Sequence, residues 1–260
     1  MRLHDLDGKR VLVWGLGSEG HAMLGLLNDP NRCRPAAVLT ADDGAREVSP
    51  ADRPAVSLDG VDVVIKSPGV SRYRPELQRF ESAGGVVTGL TAIVLAEREG
   101  LRTVGVTGTK GKSTTASLTA HLLRAAGVPV QLAGNIGRPA AEILHYPDEW
   151  VVLECSSYQC ADVTVSPVVG IMTSIYEEHL DWHGTYERYV GDKIALFASS
   201  DVVFVNGMQP ALVDVAQRIR RRQMVTDDDA LLPLERLLAK AAGLWLICWY
   251  RYQGGPRSEE

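Results

Sequence analysis

Residues 108–114 of this 260-residue chain read Gly-Thr-Lys-Gly-Lys-Ser-Thr and could hold phosphate groups. They follow the apolar run 103–106 and lead into a helical pattern. A glycine-rich turn between a buried strand and a helix directs several backbone N–H groups at one anion, and the helix dipole adds to the attraction. The segment therefore predicts a phosphate-binding loop, in which Lys112 reaches the terminal phosphates of a nucleotide and the Ser113 or Thr114 hydroxyl binds magnesium.

A second glycine-rich turn, residues 15–20, lies between an apolar strand and a helix and reads Gly-Leu-Gly-Ser-Glu-Gly. The G-x-G-x-x-G pattern serves dinucleotides, other phosphorylated ligands and plain packing turns alike. A dinucleotide site needs an acid after the next strand, and Asp42 or Asp43 could supply it. The favoured interpretation is a diphosphate ligand of another kind.

Polar side chains follow three apolar strands in the second half of the chain. Glu154 ends the first of these strands, where a carboxylate would hold magnesium opposite Lys112. Ser174 and Asn206 follow the other two strands. Because ligands of parallel sheets gather at the carboxyl ends of the strands, we expect these groups to surround one nucleotide site.

Residues 177–183 gather five titratable groups within seven positions. His179, Asp181 and His183 could form a transition-metal site, since imidazole and carboxylate suit zinc or manganese. The preferred interpretation places one histidine near a magnesium centre and gives the other groups structural roles. Lys193 lies near the start of an amphipathic helix, and its spacing alone predicts a surface lysine.

Two runs of alternating strands and helices must position these groups. The first run has strands over 10–14, 36–40, 61–65 and 85–87 and helices over 19–27 and 75–83. The second has a helix over 115–126 and strands from 103 and over 150–154, 168–173 and 201–206. The fold class is therefore α/β, with a Rossmann-like parallel-sheet domain over 1–94 and a P-loop-type α/β domain over 95–226. Residues 227–260 form an atypical tail.

Composition excludes several classes of protein. A net charge of −5 gives no basic surface, so no nucleic-acid partner is expected. The four cysteines have neither zinc spacing nor a disulfide framework, which favours a reducing cytoplasm. The chain starts without an apolar leader pattern and has no apolar stretch of about 20 residues, so no membrane insertion is expected. We expect a cytoplasmic monomer.

Together these motifs resemble the Mur ligases, the ATP-dependent amide-forming enzymes of peptidoglycan precursor synthesis. The matching segments occur in family order between about Val11 and Asn206, and comprise residues 107–114, 134–137, 153–159 and 177–181 and Lys193. The N-terminal glycine turn with Ser67-Pro68-Gly69 resembles the glutamate-adding members, whose acceptor is UDP-N-acetylmuramoyl-L-alanine. The resemblance implies that the UDP part, not NAD, is bound by Gly15, Leu16, Gly17, Ser18, Ser67, Pro68 and Gly69.

The resemblance also implies a mechanism, in which the acceptor carboxylate attacks the γ-phosphate of ATP and the glutamate amine displaces phosphate from the resulting acyl phosphate. The implied ATP site comprises Gly108, Thr109, Lys110, Gly111, Lys112, Ser113, Thr114, Asn135 and Ser156. The implied catalytic residues are Lys112, Glu154, His179 and Lys193. The implied Mg²⁺ ligands are Ser113, Glu154, His179 and Lys193 as its carbamate, with Glu154 on one ion and His179 on a second. A carbamate is an oxygen donor and an ammonium is not.

Two departures from the family pattern leave alternatives open. Lys110 stands where D-glutamate-adding enzymes usually have Asn and resembles a branch that adds L-glutamate, so the isomer is open. The family's C-terminal domain, which binds the incoming amino acid, is expected to be missing. One alternative to an active ligase is therefore a non-catalytic ATP- and UDP-sugar-binding fragment. An NAD-dependent oxidoreductase is another, although it leaves Lys112, Glu154 and His179 unexplained.

Overall fold

A computed structural model of the protein describes residues 1–42, 56–207 and 209–222 and contains two parallel β-sheets. The strands of the first sheet are β1 (Arg10–Trp14), β2 (Ala37–Ala41), β3 (Val63–Lys66) and β4 (Val86–Thr88), in the order β2-β1-β3-β4. The accompanying helices are α1 (Ser18–Leu27), α2 (Pro75–Ser82) and α3 (Leu90–Glu97). After β1 the chain continues to β2 on one side, and after β3 it continues to β4 on the other side. The carboxyl ends of β1 and β3 therefore form the first crevice, where ligands of such sheets bind.

The second sheet comprises β5 (Thr103–Thr107), β6 (Val130–Gly134), β7 (Trp150–Glu154), β8 (Val169–Met172) and β9 (Val202–Val205), in the order β6-β7-β5-β8-β9. Its helices are α4 (Lys112–Ala125), α5 (Ser157–Cys160), α6 (Leu180–His183), α7 (Tyr186–Ala195) and α8 (Pro210–Arg222). Short 3₁₀ helices cover Leu3–Leu6 and Ala140–His145. After β5 the chain continues to β6 on one side, and after β8 it continues to β9 on the other side. The carboxyl ends of β5 and β8 therefore form the second crevice.

The α/β class and the parallel sheets are confirmed. The strands predicted over 10–14 and 150–154 have the expected bounds, and the other predicted strand bounds differ by one or two residues. The helix predicted from Thr115 instead begins at Lys112, because the last three residues of the phosphate-binding loop already form its first turn. Strand β6 and helix α8 were not predicted. The tail over 227–260 lies outside the described residues.

Helix α3 joins the two sheets and is apolar all round. Every residue from Leu90 to Ala96 is buried, which is typical of a helix covered on all sides. Its Ile93 and Leu95 belong to one continuous hydrophobic core that includes Val11 of the first sheet and Leu153 of the second. The two sheets therefore share a core, and the crevices at their carboxyl ends are held relative to each other by packing.

A buried ion pair adds a polar contact between the two halves. The Lys66 Nζ atom, at the end of β3, lies 2.6 Å from the Asp162 Oδ2 atom, and both side chains are almost fully buried. Arg72 contacts the other oxygen of Asp162 at 3.2 Å. Because removing one partner would leave an uncompensated buried charge, these contacts fix the mutual placement of the halves. Among the described residues, no helix is long and apolar enough to cross a membrane.

Candidate functional site

The phosphate-binding loop occupies the predicted place between β5 and α4. Gly108 and Gly111 have φ angles of +148° and +85°, which favour glycine, and Gly111 is the N-cap residue of α4. A Cβ atom on Gly108 would lie 2.1 Å from the Thr173 Oγ1 atom. Only glycine therefore lets the loop pack this closely against the end of β8.

Hydrogen bonds from the segment after β8 hold the loop in shape. The backbone N–H of Thr109 donates to the Ser174 carbonyl at 2.8 Å, and that of Lys110 donates to the Ser174 hydroxyl at 2.8 Å. The Thr173 hydroxyl donates to the Lys110 carbonyl at 2.6 Å. Ser174 thus contributes a polar group at the expected strand end, and the loop is preorganised before any ligand arrives.

The two lysines of the loop have different partners. Lys112 folds back so that its Nζ atom donates to the Thr109 carbonyl at 2.9 Å, which keeps the ammonium over the loop. The Lys110 Nζ atom lies 2.5 Å from the Glu178 Oε1 atom, and this contact lowers the pKa of the Glu178 carboxyl. Ser113 is exposed in the first turn of α4. The positive charge of Lys112 is therefore available to an anion bound at the helix N-terminus.

Glu154 presents a buried carboxylate beside the loop. It is 1% exposed, and the register pairs it with Val106 of β5. The Asn135 side-chain amide donates to its Oε1 atom at 3.0 Å, whereas its buried Oε2 atom has no hydrogen-bond partner among the described residues. A buried carboxylate oxygen without a partner is costly. A bound cation would satisfy this atom, so the residues present fit a magnesium ion.

The approach of Asn135 to Glu154 depends on Gly134. The register pairs Gly134 with Glu154, and a Cβ atom on Gly134 would lie 2.2 Å from the Glu154 carbonyl oxygen. Gly134 has a φ angle of +107°. Ser156 follows as the N-cap of α5, where its hydroxyl accepts a hydrogen bond from the Gln159 backbone N–H. Asn135 and Ser156 therefore both lie at the carboxyl edge of the second sheet.

His179 lies at the start of α6 with a left-handed φ angle of +59°. Its half-exposed imidazole contacts Tyr158, with the ring centroids 5.0 Å apart. Burial lowers the pKa of His179 and so favours the neutral ring, the form that binds metals. In the described part of the chain, no group of three or more His, Cys, Asp or Glu residues could hold a metal ion. A magnesium ion near Glu154 would therefore take further oxygen ligands, such as phosphates.

The transition-metal interpretation of His179, Asp181 and His183 is wrong, because His183 has no free nitrogen. Its Nδ1 atom lies 2.5 Å from the Asp192 Oδ2 atom, and its Nε2 atom lies 2.9 Å from the Ser157 hydroxyl. The ring is fully buried. His183 therefore has a structural role. The preferred interpretation, which places one histidine near a magnesium centre and makes the other groups structural, gives His183 this role.

Lys193 is 2% exposed, so the surface position predicted from its spacing is wrong. It lies on the buried face of α7, four residues after the buried Tyr189, and this spacing puts both side chains on the same helix face. Its Nζ atom donates to the Gly108 carbonyl at 2.8 Å. Burial lowers the pKa of Lys193 to about 8. The amine therefore lies directly behind the phosphate-binding loop and loses its proton more readily than an ordinary lysine.

The glycine turn of the first sheet and the Ser67-Pro68-Gly69 segment lie side by side at the ends of β1 and β3. The Ser67 hydroxyl donates to the Gly15 carbonyl at 2.5 Å, and a Cβ atom on Gly15 would lie 2.8 Å from the Ser67 Cβ atom. The turn continues through Leu16 and Gly17 to Ser18, the first residue of α1. The structure thus brings together the two segments that were expected to share one ligand. Asp42 accepts a hydrogen bond from the Leu16 N–H at 3.4 Å, and Asp43 lies outside the described residues.

Two residues of the second crevice were missed by sequence reasoning. The Tyr189 hydroxyl lies 2.7 Å from the Thr109 hydroxyl of the loop. Its position one helical turn before Lys193 is the signal that could have identified it. The Gln209 side chain accepts from the Ile175 N–H and donates to the Ile175 carbonyl. No motif marks Gln209, because its partner Ile175 lies 34 residues earlier in the chain.

Comparisons with known proteins agree on one family. Residues 106–227 match the model of the Mur ligase middle domain. The chain is 42% identical over 227 residues to the UDP-N-acetylmuramoyl-L-alanine--L-glutamate ligase of Salinispora tropica, which covers 82% of this chain and 49% of that protein. It is 38% identical over 238 residues to the enzyme of the same name from Xylella fastidiosa, which covers 83% of this chain and 51% of that protein.

The chain spans about half the length of the curated relatives that it matches. Among solved structures, the UDP-N-acetylmuramate:L-alanyl-gamma-D-glutamyl-meso-diaminopimelate ligase from Neisseria meningitides aligns with a TM-score of 0.48 at 16% identity. That alignment covers 81% of this chain and 75% of the other. Both curated relatives are named as ligases, so the comparisons give no support to the oxidoreductase interpretation of residues 15–20.

Proposed function

Because this chain belongs to the Mur ligase family, we propose that it serves an ATP-dependent amide ligation in which L-glutamate is added to UDP-N-acetylmuramoyl-L-alanine. The observation that carries the proposal is the buried, unpartnered Glu154 Oε2 atom beside a preorganised phosphate-binding loop. Together they suit a phosphate chain with its magnesium ion. The first crevice, at Gly15 and Ser67, supplies a separate place for the acceptor.

The proposed reaction has two steps. An oxygen of the acceptor carboxylate attacks the γ-phosphorus of ATP, the bond to the bridging oxygen breaks, and ADP leaves. The glutamate amine then attacks the acyl carbon, phosphate leaves with the former carboxylate oxygen, and the amine loses a proton. Lys112 and the N–H groups of the loop stabilise the negative charge on the transferred phosphoryl group, which is the main contribution that proteins make to phosphoryl transfer.

Magnesium would be held by Ser113, Glu154, His179 and Lys193 as its carbamate, with Glu154 on one ion and His179 on a second. When bound, the metal would neutralise charge on the phosphate oxygens. The chain's own groups are already oriented, since Asn135 fixes one oxygen of Glu154 and leaves the other unpartnered. The roles of the remaining loop residues, Gly108, Thr109, Lys110, Gly111 and Thr114, as ATP contacts are part of the same proposal.

The UDP-bearing acceptor would bind at the first crevice, along Gly15, Leu16, Gly17, Ser18, Ser67, Pro68 and Gly69. Asn135 and Ser156 at the edge of the second sheet would then meet the part of the acceptor that reaches ATP. We assign L-glutamate as the amino acid because relatives at 38–42% identity carry that isomer in their names. Lys110, the residue that departs from the D-glutamate pattern, agrees with this assignment. The cytoplasmic location and the monomeric state stay predictions.

A second candidate is a unit that binds ATP and the UDP-sugar without ligating glutamate. Both sites that it requires lie among the described residues, namely the phosphate-binding loop beside Glu154 and the crevice at Gly15 and Ser67. An assay of phosphate release with ATP, magnesium, acceptor and L-glutamate separates the two candidates. Release that needs both acceptor and L-glutamate supports the ligase, whereas binding of ATP and acceptor without release supports the second candidate. If neither ligand binds, both candidates are contradicted.

Carbamylation of Lys193 would make ATP turnover depend on pH and on bicarbonate. The free amine combines with carbon dioxide to form a carbamate and releases one proton. With a pKa of about 8, about one tenth of the amines are unprotonated at pH 7 and about half at pH 8. Carbamate formation, and with it magnesium-dependent ATP turnover, should therefore increase from pH 7 to pH 8.5 and with added bicarbonate.

Intact mass at neutral pH should show the added carbon dioxide in the wild-type chain and not in Lys193→Ala. That variant should lose turnover, and a short-chain carboxylate in the buffer should restore part of it by supplying the missing oxygen donor. Lys9→Ala, which removes an exposed lysine, is the matched control. An unmodified Lys193 together with unchanged turnover in Lys193→Ala would rule out the carbamate.

A further inference from the structure

The segment after β3 contacts the segment that carries His179, and Trp182 is at the centre of this contact. The Trp182 indole Nε1–H donates to the Pro68 carbonyl at 3.0 Å, and the Ser71 hydroxyl donates to the Trp182 carbonyl at 2.9 Å. Pro68 belongs to the proposed acceptor site, and Trp182 lies on α6, three residues after His179. The two proposed ligand sites are therefore connected through one side chain.

A second connection runs through buried polar groups. The Tyr73 hydroxyl donates to the Asp192 Oδ1 atom at 2.6 Å. The other oxygen of Asp192 lies 2.5 Å from the His183 Nδ1 atom, and the His183 Nε2 atom lies 2.9 Å from the Ser157 hydroxyl. Asp192 is the residue before Lys193 on α7. This chain of hydrogen bonds links the loop after β3 to the helix that carries Lys193.

Ser157, His183 and Asp192 have the order of a nucleophile, a base and an orienting acid, but burial excludes that use. Ser157 is 3% exposed and His183 fully buried, so no substrate can reach the hydroxyl. Burial, followed by the hydrogen bond to Asp192, raises the pKa of Tyr73, so its hydroxyl remains a donor at neutral pH. Such a fully partnered buried network rigidifies the structure around it.

Aromatic packing makes the contact stiff. The Tyr73 and Trp182 rings meet edge to face at 5.7 Å, and the Arg188 guanidinium lies 4.4 Å from the centroid of the Tyr73 ring. Tyr158 stacks on Trp182 at 4.7 Å and also contacts His179. A displacement of the loop after β3 would therefore move Trp182, and Tyr158 would pass the displacement to His179.

We propose that Pro68, Ser71, Tyr73, Trp182, His183 and Asp192 form an inter-sheet clamp that couples the acceptor site to the nucleotide site. This inference rests on the proposed function. The clamp residues are positioning residues, since they act through His179 and Lys193. A ligand that shifts the loop around Pro68 also shifts α6 and α7 through these rigid contacts, so the first ligand favours the arrangement that the second requires and the second binds more tightly. The coupling factor is the same whichever ligand binds first.

Calorimetric titration of the 260-residue chain tests the clamp. A non-hydrolysable ATP analogue with magnesium is titrated with and without saturating UDP-N-acetylmuramoyl-L-alanine. We expect the acceptor to tighten analogue binding at least about fivefold in the wild-type chain. In Tyr73→Phe, the dissociation constant of each ligand alone should stay within about twofold of the wild-type value. The acceptor should then change the dissociation constant of the analogue by less than about twofold. Tyr146→Phe is the matched control and should keep full coupling. Tyr146 lies shortly before β7, near the amino-terminal ends of the strands of the second sheet.

The NMR signal of the Trp182 indole N–H gives a second readout, and a general loss of stability would not reproduce its expected changes. In a ¹⁵N-labelled chain this signal is assigned as the one absent from Trp182→Phe. We expect it to shift when the acceptor binds and also when the ATP analogue binds alone. In Tyr73→Phe, the shift caused by the ATP analogue should shrink while the shift caused by the acceptor stays.

The outcomes separate the clamp from the proposed function. If both ligands bind the wild-type chain without coupling, or if Tyr73→Phe retains full coupling, the clamp is wrong and the proposed function stands. If neither ligand binds the wild-type chain, the proposed function fails and the clamp fails with it. Coupling that is present in wild type and Tyr146→Phe but lost in Tyr73→Phe supports both.

Discussion

Replacing Lys112 with alanine should lower ATP turnover at least about 100-fold. The ammonium of Lys112 lies over the phosphate-binding loop, held by the Thr109 carbonyl, and in the proposed function it binds the terminal phosphates of ATP. Loss of this charge-assisted contact should also weaken binding of a non-hydrolysable ATP analogue by about 10- to 100-fold. Calorimetry measures the binding change, and phosphate release measures the turnover.

The fold should survive this substitution. Lys112 is the first residue of α4, where a cation opposes the positive end of the helix dipole, so alanine should not weaken the helix. Thermal unfolding without ligand should therefore give the wild-type midpoint or a slightly higher one. Lys9→Ala, far along the chain from the loop, should leave turnover unchanged. Turnover close to wild type in Lys112→Ala would show that the phosphate-binding loop is misassigned.

Replacing Glu154 with glutamine should remove the magnesium dependence of nucleotide binding. Glutamine has the same shape and keeps an oxygen for the Asn135 amide, but it puts a neutral amide where the buried Oε2 atom has no partner. In the wild-type chain magnesium should tighten binding of the ATP analogue, and in Glu154→Gln it should change binding by less than about threefold. Turnover should fall at least about 100-fold.

The stability of Glu154→Gln distinguishes a ligand site from a structural carboxylate. A buried carboxylate with one unpartnered oxygen is destabilising, so the neutral variant should unfold at the wild-type temperature or above it in the absence of metal. Glu142→Gln removes an exposed carboxylate that pairs with Arg138 on the surface and should change neither property. Marked destabilisation of Glu154→Gln with intact magnesium dependence would contradict the assigned role.

Much of the fold could be predicted from the sequence because its strands are short, apolar and bounded by glycine or polar residues. Residues 11–14 and 151–154 are buried on both faces of parallel sheets, and such runs can be recognised without knowledge of their neighbours. β6 was missed because its run contains the polar Gln131 and ends in Gly134, whose closeness to Glu154 depends on the register with β7. A pattern along one segment carries no information on such a register.

The residue types of the candidate site could be predicted from the sequence, but fewer of the contacts between these residues could. Glycine spacing and a following Lys-Ser-Thr suffice for a phosphate-binding loop, since the backbone itself forms the cradle. The burial of Lys193 could not be derived from spacing, because it depends on α7 packing behind the loop. His183 was ambiguous for the same reason, since its partners Ser157 and Asp192 come from separate helices.

We propose that this chain has two ligand sites, one for a UDP-linked acceptor at Gly15 and Ser67 and one for ATP at the loop 108–114. Calorimetric titration of the unaltered 260-residue chain with UDP-N-acetylmuramoyl-L-alanine, before and after saturation with magnesium and a non-hydrolysable ATP analogue, tests it most directly. We expect saturable binding of both ligands at one site each, with the acceptor bound more tightly in the presence of the nucleotide. Absence of saturable binding of either ligand, by a chain shown to be folded in the same buffer, would contradict it.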